Sequence, residues 1–533
     1  MMKYFSALVL ILLLLASNTA LAQKTATGIL YHDENHNGRL DSSEEPLPKV
    51  AVSNGEDVVL TDHQGRYELP VNDDTIIFVI KPDGYKTPVD KLNRPQFYYI
   101  HKPNGSPELE YQGVSPSGPL PGSINFGLFK EEQKDNFDIL VFGDPQPYNM
   151  KEVDYFDRDI VDELVDEQGY EFGISLGDLV GDDLDLFKPY SESVARIGLP
   201  WFNVYGNHDM NFDVEHDSLA DETFEATFGP ATYSFNKGKV HFIIIDDVIY
   251  PNPNGGSGYI GGLTDKQITF IENDLKHVPQ DHLIVLAFHI PITVPGYASD
   301  SRTINSYFLE ENRNRLLGLL SEYPNTLSLS AHTHVQQLQF VSDGGWTRET
   351  PHLHYNVGTT GGDWWSGEPN ENNIPPTLMR DGTPNGYSII QFEGNKFVLD
   401  YKVAGEDHSK KMSIWGPKVL PQREWFNADL YVNYFMGNDS TKVEYQVKGQ
   451  DNWRQMTKIE LGDPYVTSLR NKWDLSESLI KGKRPNNAVA SSHLWKTRIP
   501  KNLPEGEQTL IIRVSDMFGR EFFDEYNYRI VKR

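Results

Sequence analysis

Five short segments carry side chains that bind divalent cations: Gly143-Asp144-Pro145-Gln146, Gly177-Asp178, Gly206-Asn207-His208-Asp209, His289 and His332-Thr333-His334. Carboxylates, amide oxygens and imidazoles suit hard or borderline ions. A pair of such ions about 3.5 to 4 Å apart can clamp a phosphoryl group and acidify the water between them. Phosphoester hydrolysis needs this chemistry: charge neutralised on phosphoryl oxygens, a nucleophile at neutral pH, and help for the leaving group. Asp178 has two oxygens to share and is the natural bridge. Asp144, Gln146 and His334 would complete one metal position, and Asn207, His289 and His332 the other.

Four of the five segments directly follow an apolar, β-branched or aromatic run: Phe137 to Phe142, Phe172 to Leu176, Trp201 to Val204 and Leu283 to Phe288. Each reads as a buried strand. The fifth run, Leu327 to Ser330, is shorter but ends the same way. Every candidate ligand therefore lies just past the carboxyl end of a strand, where open α/β sheets place their sites. Helical patterns alternate with these strands at Asp154 to Glu167, Thr264 to Leu275 and Asn305 to Tyr323. That alternation indicates an α/β domain.

With those motifs placed, residues 137 to about 395 resemble the calcineurin-like metallophosphoesterase superfamily, whose ordered motifs are Asp-x-His, Gly-Asp, Gly-Asn-His-Asp/Glu, a lone His and Gly-His-x-His. The resemblance implies a central α/β/β/α sandwich with a dimetal site along one edge. It also implies direct attack on phosphorus by a metal-bridging hydroxide, on a phosphate mono- or diester. His208 would assist the leaving group and Asp209 would orient it; a carboxylate beside an imidazole raises its basicity and fixes its tautomer. Two positions depart from the family pattern: Gln146 stands where histidine is usual, and Ala331 where glycine is. An amide oxygen is harder than a ring nitrogen, so Gln146 favours manganese or magnesium over zinc and a weaker first metal. Manganese is the favoured ion among Mn, Fe, Zn and Mg. The run Arg380 to Tyr387 and the arrangement of flanking modules are similar to a bacterial secreted subgroup with accessory β domains at both ends.

At 533 residues the chain is too long for one core, and about three domains are expected. Residues 1–22 carry Lys3, an apolar run and Ala20-Leu21-Ala22, the layout of a secretory signal peptide. The apolar run is too short to span a bilayer, and no later stretch approaches that length. There is no cysteine, so disulfides, thiolate ligands and a lipidated cysteine are excluded. Export without cysteine points to a bacterial, secreted or periplasmic protein. The net charge of −28 excludes the basic footprint that a nucleic-acid polymer requires. A small-molecule, lipid or glycan phosphoester is the expected substrate.

Residues 23–131 read as an N-terminal β module, 132–403 as the catalytic domain and 404–533 as a C-terminal β-rich domain, both outer units being sandwich-like. The pair Tyr387 to Tyr401 reads as two edge strands. In the first module, Asp33, Asn35, Asn37, Arg39 (by its carbonyl), Asp41 and Glu44 fit the oxygen-ligand spacing of a calcium loop, with Gly38 at the turn. That calcium would be structural; an Asx-rich turn is the other reading. Trp364 and Trp365 lie on a Gly-rich loop and either wall the substrate site or pack against the C-terminal domain. Asp182 is either a support for the site or a turn or cap residue. His352 and His354 alternate on a strand and read as structural. The competing class is a calcium-stabilised surface protein that binds glycans or proteins around a degenerate hydrolase core. Seven coordinating side chains at one edge weigh against it.

Overall fold

The computed structural model describes residues 24–255, 258–293, 308–422 and 427–532; the expected signal at residues 1–22 lies outside them. Two sheets stack in the centre. One has the order Trp201–Val204, Tyr170–Leu176, Asn136–Phe142, Gly386–Glu393, Lys396–Val403. Its first three strands are parallel and its last two antiparallel. The other has the order Tyr233–Lys237, Val240–Ile244, Leu283–Ala287, Asn325–Ser330, His352–Val357, Gln336–Val341. Its four inner strands are parallel.

Parallel strands are covered on both faces and so read as continuous apolar runs; Leu283–Ala287 is buried at every residue. The two sheets meet through rings. Phe172 and Phe392 each pack edge-on to Phe242, at 5.4 and 5.6 Å between centroids. Such pairs add about 0.5–1.5 kcal/mol each beyond area burial. They lie toward the amino ends of the parallel strands, leaving the carboxyl ends free for the site. Helices Met150–Phe156 and Phe187–Ala195 cover the first sheet, with Phe156 edge-on to Phe142. Helices Asp265–Leu275 and Glu310–Leu320 accompany the second, and Asp274 accepts from strand residue His241 at 2.9 Å. Thr264 starts the first of these with a capping box to Gln267.

One strand reading is corrected. Gly386–Glu393 is not an edge strand: it pairs with Asn136–Phe142 on one side and Lys396–Val403 on the other. Its first five residues are all buried, which an edge position would not require.

The N-terminal residues form two four-stranded sheets around Leu30, Val52, Leu69, Ile77, Val79 and Leu128, a core of their own. In the loop between residues 33 and 44, Asp33 accepts from Asn37 N and Gly38 N. Asn35 and Asn37 turn their amide nitrogens to Asp41 at 2.8 Å. Glu44 accepts from Glu34 N and Asp41 N. The C-terminal residues form a four-stranded and a five-stranded sheet plus the helix Pro464–Asp474. Their core is continuous with that of the central sandwich, through residues such as Tyr401, Phe435, Leu420 and Leu430. Among the described residues no helix is long and apolar enough to cross a membrane.

Candidate metal centre

All six candidate segments leave the same ends of the two sheets. Asp144, Asp178 and Asn207 follow Asn136–Phe142, Tyr170–Leu176 and Trp201–Val204. His289, His332 with His334, and the Trp364 loop follow Leu283–Ala287, Asn325–Ser330 and His352–Val357. The turns are tight. A Cβ on Gly206 would lie 2.0 Å from Asp178 N, and one on Gly143 1.8 Å from Gly358 O, so glycine is required at both. Eight non-glycine residues here hold φ between 35° and 69°: Asp144, Gln146, Asp178, Asp182, His332, His334, Trp364 and Trp365. Left-handed backbone of this kind costs about 1–3 kcal/mol per residue and persists where surrounding structure enforces it, typically at functional sites.

Four ligand atoms converge. His289 Nε2 lies 3.1 Å from Asn207 Oδ1, 3.2 Å from Asp178 Oδ2 and 3.2 Å from His332 Nδ1. His289 Nδ1 is 2.8 Å from Leu176 O, so it carries the proton that is donated there; burial lowers the ring's basicity, but the charge of Asp178 outweighs it and raises its pKa to about 10, so Nε2 offers its lone pair once a cation displaces the second proton. A ring proton fixed on a carbonyl in this way is the usual orientation of a metal-ligating histidine. Lone pairs from a carboxylate, an amide and two imidazoles then face each other at spacings that a shared cation, or a proton on His289, must reconcile. Bonds of about 2.1 Å to one divalent ion place ligand atoms about 3.0–3.4 Å apart, which these distances match. Asp178, His289 and His332 offer ligand atoms that all lie within 4.8 Å of one another.

The second group is looser. His334 Nε2 stands 3.8 Å from Asp144 Oδ1, with His334 Nδ1 on Gly362 O at 3.2 Å. Asp144 is fully buried and also accepts from His332 N at 3.0 Å. Burial holds its carboxyl well above the ordinary range, and the charge of His289 only partly offsets it. Burial also pushes His332 and His334 down to about 3, keeping both imidazoles neutral, the form that binds metal. A buried acid beside neutral imidazoles is a donor set that a divalent cation satisfies. The residues fit a dimetal centre, with one exception.

The exception is Gln146. Its Oε1 accepts from Trp364 Nε1 at 2.8 Å, and its Nε2 faces Asp178 Oδ2 and the Tyr148 hydroxyl at 3.4 Å each. An indole nitrogen only donates, so it selects the amide oxygen and turns the N–H groups inward. Here Gln146 presents no lone pair to the centre, contrary to the ligand role expected from its position.

A second correction concerns His208. Its Nδ1 contacts Asp182 Oδ1 at 2.6 Å, and its Nε2 lies 4.0 Å from Asp178 Oδ2. The expected orienting residue, Asp209, is fully buried elsewhere and accepts from Leu179 N, Val180 N and Gly206 N, so it shapes the turns that carry Asp178 and Asn207. Burial lowers the basicity of His208, but the charge of Asp178 and the bond to Asp182 outweigh it and raise its pKa to about 9. Were Asp178 to hold a metal, its charge would be taken up there and Asp182 would be the partner that remains.

The two tryptophans separate. Trp364 lies against His334, with ring centroids 4.3 Å apart. Trp365 is 2 % exposed and packs on Tyr155, so the reading of it as substrate wall is corrected: burial removes it from any ligand. His352 and His354 are buried among Thr326, Ser328 and Ser330 hydroxyls, as structural histidines. Sequence reasoning missed Asp247, whose carboxylate holds His289 N and Ile290 N; the acidic pair closing the run Ile243-Ile244-Ile245 was its signal. It also missed Tyr148, whose ring stands edge-on to His208 at 5.9 Å.

A two-sheet sandwich with carboxylate, amide and imidazole ligands gathered across its carboxyl ends defines a class: the metal-dependent phosphoester hydrolases. Profiles of the calcineurin-like phosphoesterases match in chain order: their N-terminal region at residues 34–112, the catalytic region at 137–336 and their C-terminal region at 354–522. The chain belongs to the calcineurin-like phosphoesterases, a family that implies a dimetal site. Among curated proteins, the Probable glycerophosphodiester phosphodiesterase GpdQ of Arcobacter nitrofigilis is 24 % identical over 149 residues, 28 % of this chain and 50 % of that one. The chain thus spans half the length of this relative. Among solved structures, the purple acid phosphatase PPD1 from yellow lupin (Lupinus luteus) seeds has 12 % identity and a TM-score of 0.37, over 72 % of this chain and 73 % of that chain.

Proposed function

We propose that the protein is an exported, metal-dependent hydrolase of phosphate mono- or diesters in small molecules or in lipid or glycan headgroups. The observation that carries this reading is the convergence of Asp178 Oδ2, Asn207 Oδ1, His289 Nε2 and His332 Nδ1, with the ring proton of His289 committed to Leu176 O. Two divalent ions supply charge to neutralise the phosphoryl oxygens and a water acidic enough to ionise near neutral pH. Asp178, Asn207, His289 and His332 would hold one, and Asp144, Asp178 and His334 the other. Manganese is favoured among manganese, iron, zinc and magnesium: the oxygens of Asp144, Asp178 and Asn207 suit a hard ion better than zinc, and the three imidazoles suit it better than magnesium.

His208 is the proton donor to the leaving group. Asp182 on Nδ1 fixes the tautomer, so the proton to be transferred sits on Nε2, the atom turned toward Asp178. Asp209 and Asp247 act on backbone: they hold the turns that aim Asp178, Asn207 and His289. The name of the GpdQ relative, a glycerophosphodiester phosphodiesterase, supports the diester side of this reading. The charge of −28 disfavours a polymeric nucleic acid. The layout of residues 1–22 supports export, and the spacing of Asp33 to Glu44 supports a structural calcium in the N-terminal unit.

Hydrolysis of a chromogenic diester and the matching monoester by residues 23–533 with manganese, beside Asn207→Ala, tests the reading. Activity that the variant abolishes supports it, and the ratio of the two rates selects the ester class. A folded, metal-loaded protein that turns over neither ester overturns it.

A further inference from the structure

The loop at residues 358–367 reaches the site from one side and the C-terminal sheets from the other. On the site side, Gly362 O receives His334 Nδ1, the Trp364 ring covers His334, and Trp364 Nε1 holds Gln146. On the far side, the carboxylate of Asp363, 3 % exposed, accepts from Asn486 N at 2.7 Å and Asn486 Nδ2 at 2.9 Å. Gly367 N donates to Lys483 O at 2.8 Å, and Lys483 Nζ donates to Trp364 O at 3.2 Å. Lys472 pairs with Glu368 at 2.6 Å. The loop has bonds of its own, from Trp365 N to Gly361 O and Ser366 N to Asp363 O, and Asp363 N reaches Leu378 O, but Trp364 and Trp365 both keep left-handed backbone, at φ 51° and 52°, which calls for restraint from around it as well. Asn486 supplies two of those restraints from an exposed position in its segment.

We propose that the C-terminal domain is a working part of the metal centre: by gripping Asp363 through Asn486 it fixes the Trp364 loop, and through that loop the aim of His334 at the first metal position. Asn486 and Trp364 are positioning residues, since neither touches a reacting atom. The loop touches His334 directly but reaches the Asp178, Asn207, His289 and His332 group at one remove, through Gln146 Nε2 facing Asp178 Oδ2 at 3.4 Å, so the two positions depend on the C-terminal domain unequally. The inference rests on the dimetal reading above.

The test is manganese binding to the chelator-stripped full chain, wild type against Asn486→Ala, by calorimetric titration, with thermal unfolding of the metal-free forms alongside. The wild type should take up two ions; if it takes up none, the dimetal reading fails and the clamp is not the cause. Asn486→Ala should weaken one of the two binding events about tenfold or more, the usual effect of removing a support behind a ligand, and leave the other within about twofold. Asn486→Asp, which sets like charges against Asp363, should weaken the same event further. Two unchanged events, or two equally weakened ones with a lowered unfolding temperature, would overturn the proposal, because a merely structural contact gives one of those results.

Discussion

Asp182→Ala isolates the pair that prepares His208 as an acid. The substitution removes a 2.6 Å contact to Nδ1 and leaves every candidate metal ligand in place. A hydrogen bond to a charged group contributes about 1.5–3 kcal/mol when shielded. The Asp182 side chain is 51 % exposed, so solvent screening puts its effect at the lower end or below, about 1.4 kcal/mol, which is tenfold in rate. That loss should appear only where the leaving group needs a proton. The assay compares kcat for an alkyl diester and a p-nitrophenyl diester, since nitrophenolate departs without protonation. Asp182→Ala should lose about tenfold on the first and almost nothing on the second; His208→Ala should lose about 10²–10⁴-fold on the first, the usual worth of a positioned acid. The pH profile gives an independent reading. A general acid works while protonated, so rate falls as pH rises through its pKa. Asp182 raises that pKa, and its loss should move the alkaline limb to lower pH. Equal losses on both esters, or an unmoved limb, would refute the role given to Asp182.

Two other outcomes follow from buried groups. Gln146→Ala should leave both manganese affinities little changed because the amide offers N–H, not a lone pair, whereas Gln146→His should tighten the first by about tenfold or more, as a gained ligand does; titration of the metal-free variants checks both. His352 is held by burial at about 3, far below its ordinary 6.5. The unfolded chain therefore takes up a proton that the folded one refuses, and stability present above pH 6.5 is lost as pH falls toward 3. By pH 5 the loss from this group alone is about 2 kcal/mol. Urea unfolding of the metal-free protein at pH 7 and pH 5 should show it, and His352→Gln should shrink the difference by that amount; an unaltered difference would count against it.

The strands and the ligands at their ends were legible because both signals are local. An apolar run buried on both faces, such as Leu283 to Ala287, needs no partner to be recognised, and His289 follows it at once. What could not be read were choices made by rotation and long-range docking. Asp209 neighbours His208 in sequence, yet its carboxylate turns under the 177–180 backbone, while Asp182, at φ 69°, swings outward to meet the imidazole. Trp364 and Trp365 are adjacent and share one backbone conformation, but one faces Gln146 and the other Tyr155. Gly386–Glu393 reads as an edge by composition because its partner strand, Asn136–Phe142, is some 250 residues away. The grip of Asn486 on Asp363 has no local signature at all.

Asp144, Asp178 and Asn207 hang from one central sheet, and His289, His332 and His334 from the other. An ion held among them is therefore a rivet through two layers that otherwise meet through apolar packing and a few hydrogen bonds, such as His289 Nδ1 to Leu176 O and Tyr355 with Ser388. At a free metal concentration about 100 times the dissociation constant, mass action adds about 2.7 kcal/mol to the folded state, and here that increment acts across the seam. Metal starvation would loosen the layers where they face solvent, exposing chain ends of the parallel strands to proteases. The lifetime of the protein outside the cell, if it is exported, would then be set by the metal supply of its surroundings as much as by its own sequence.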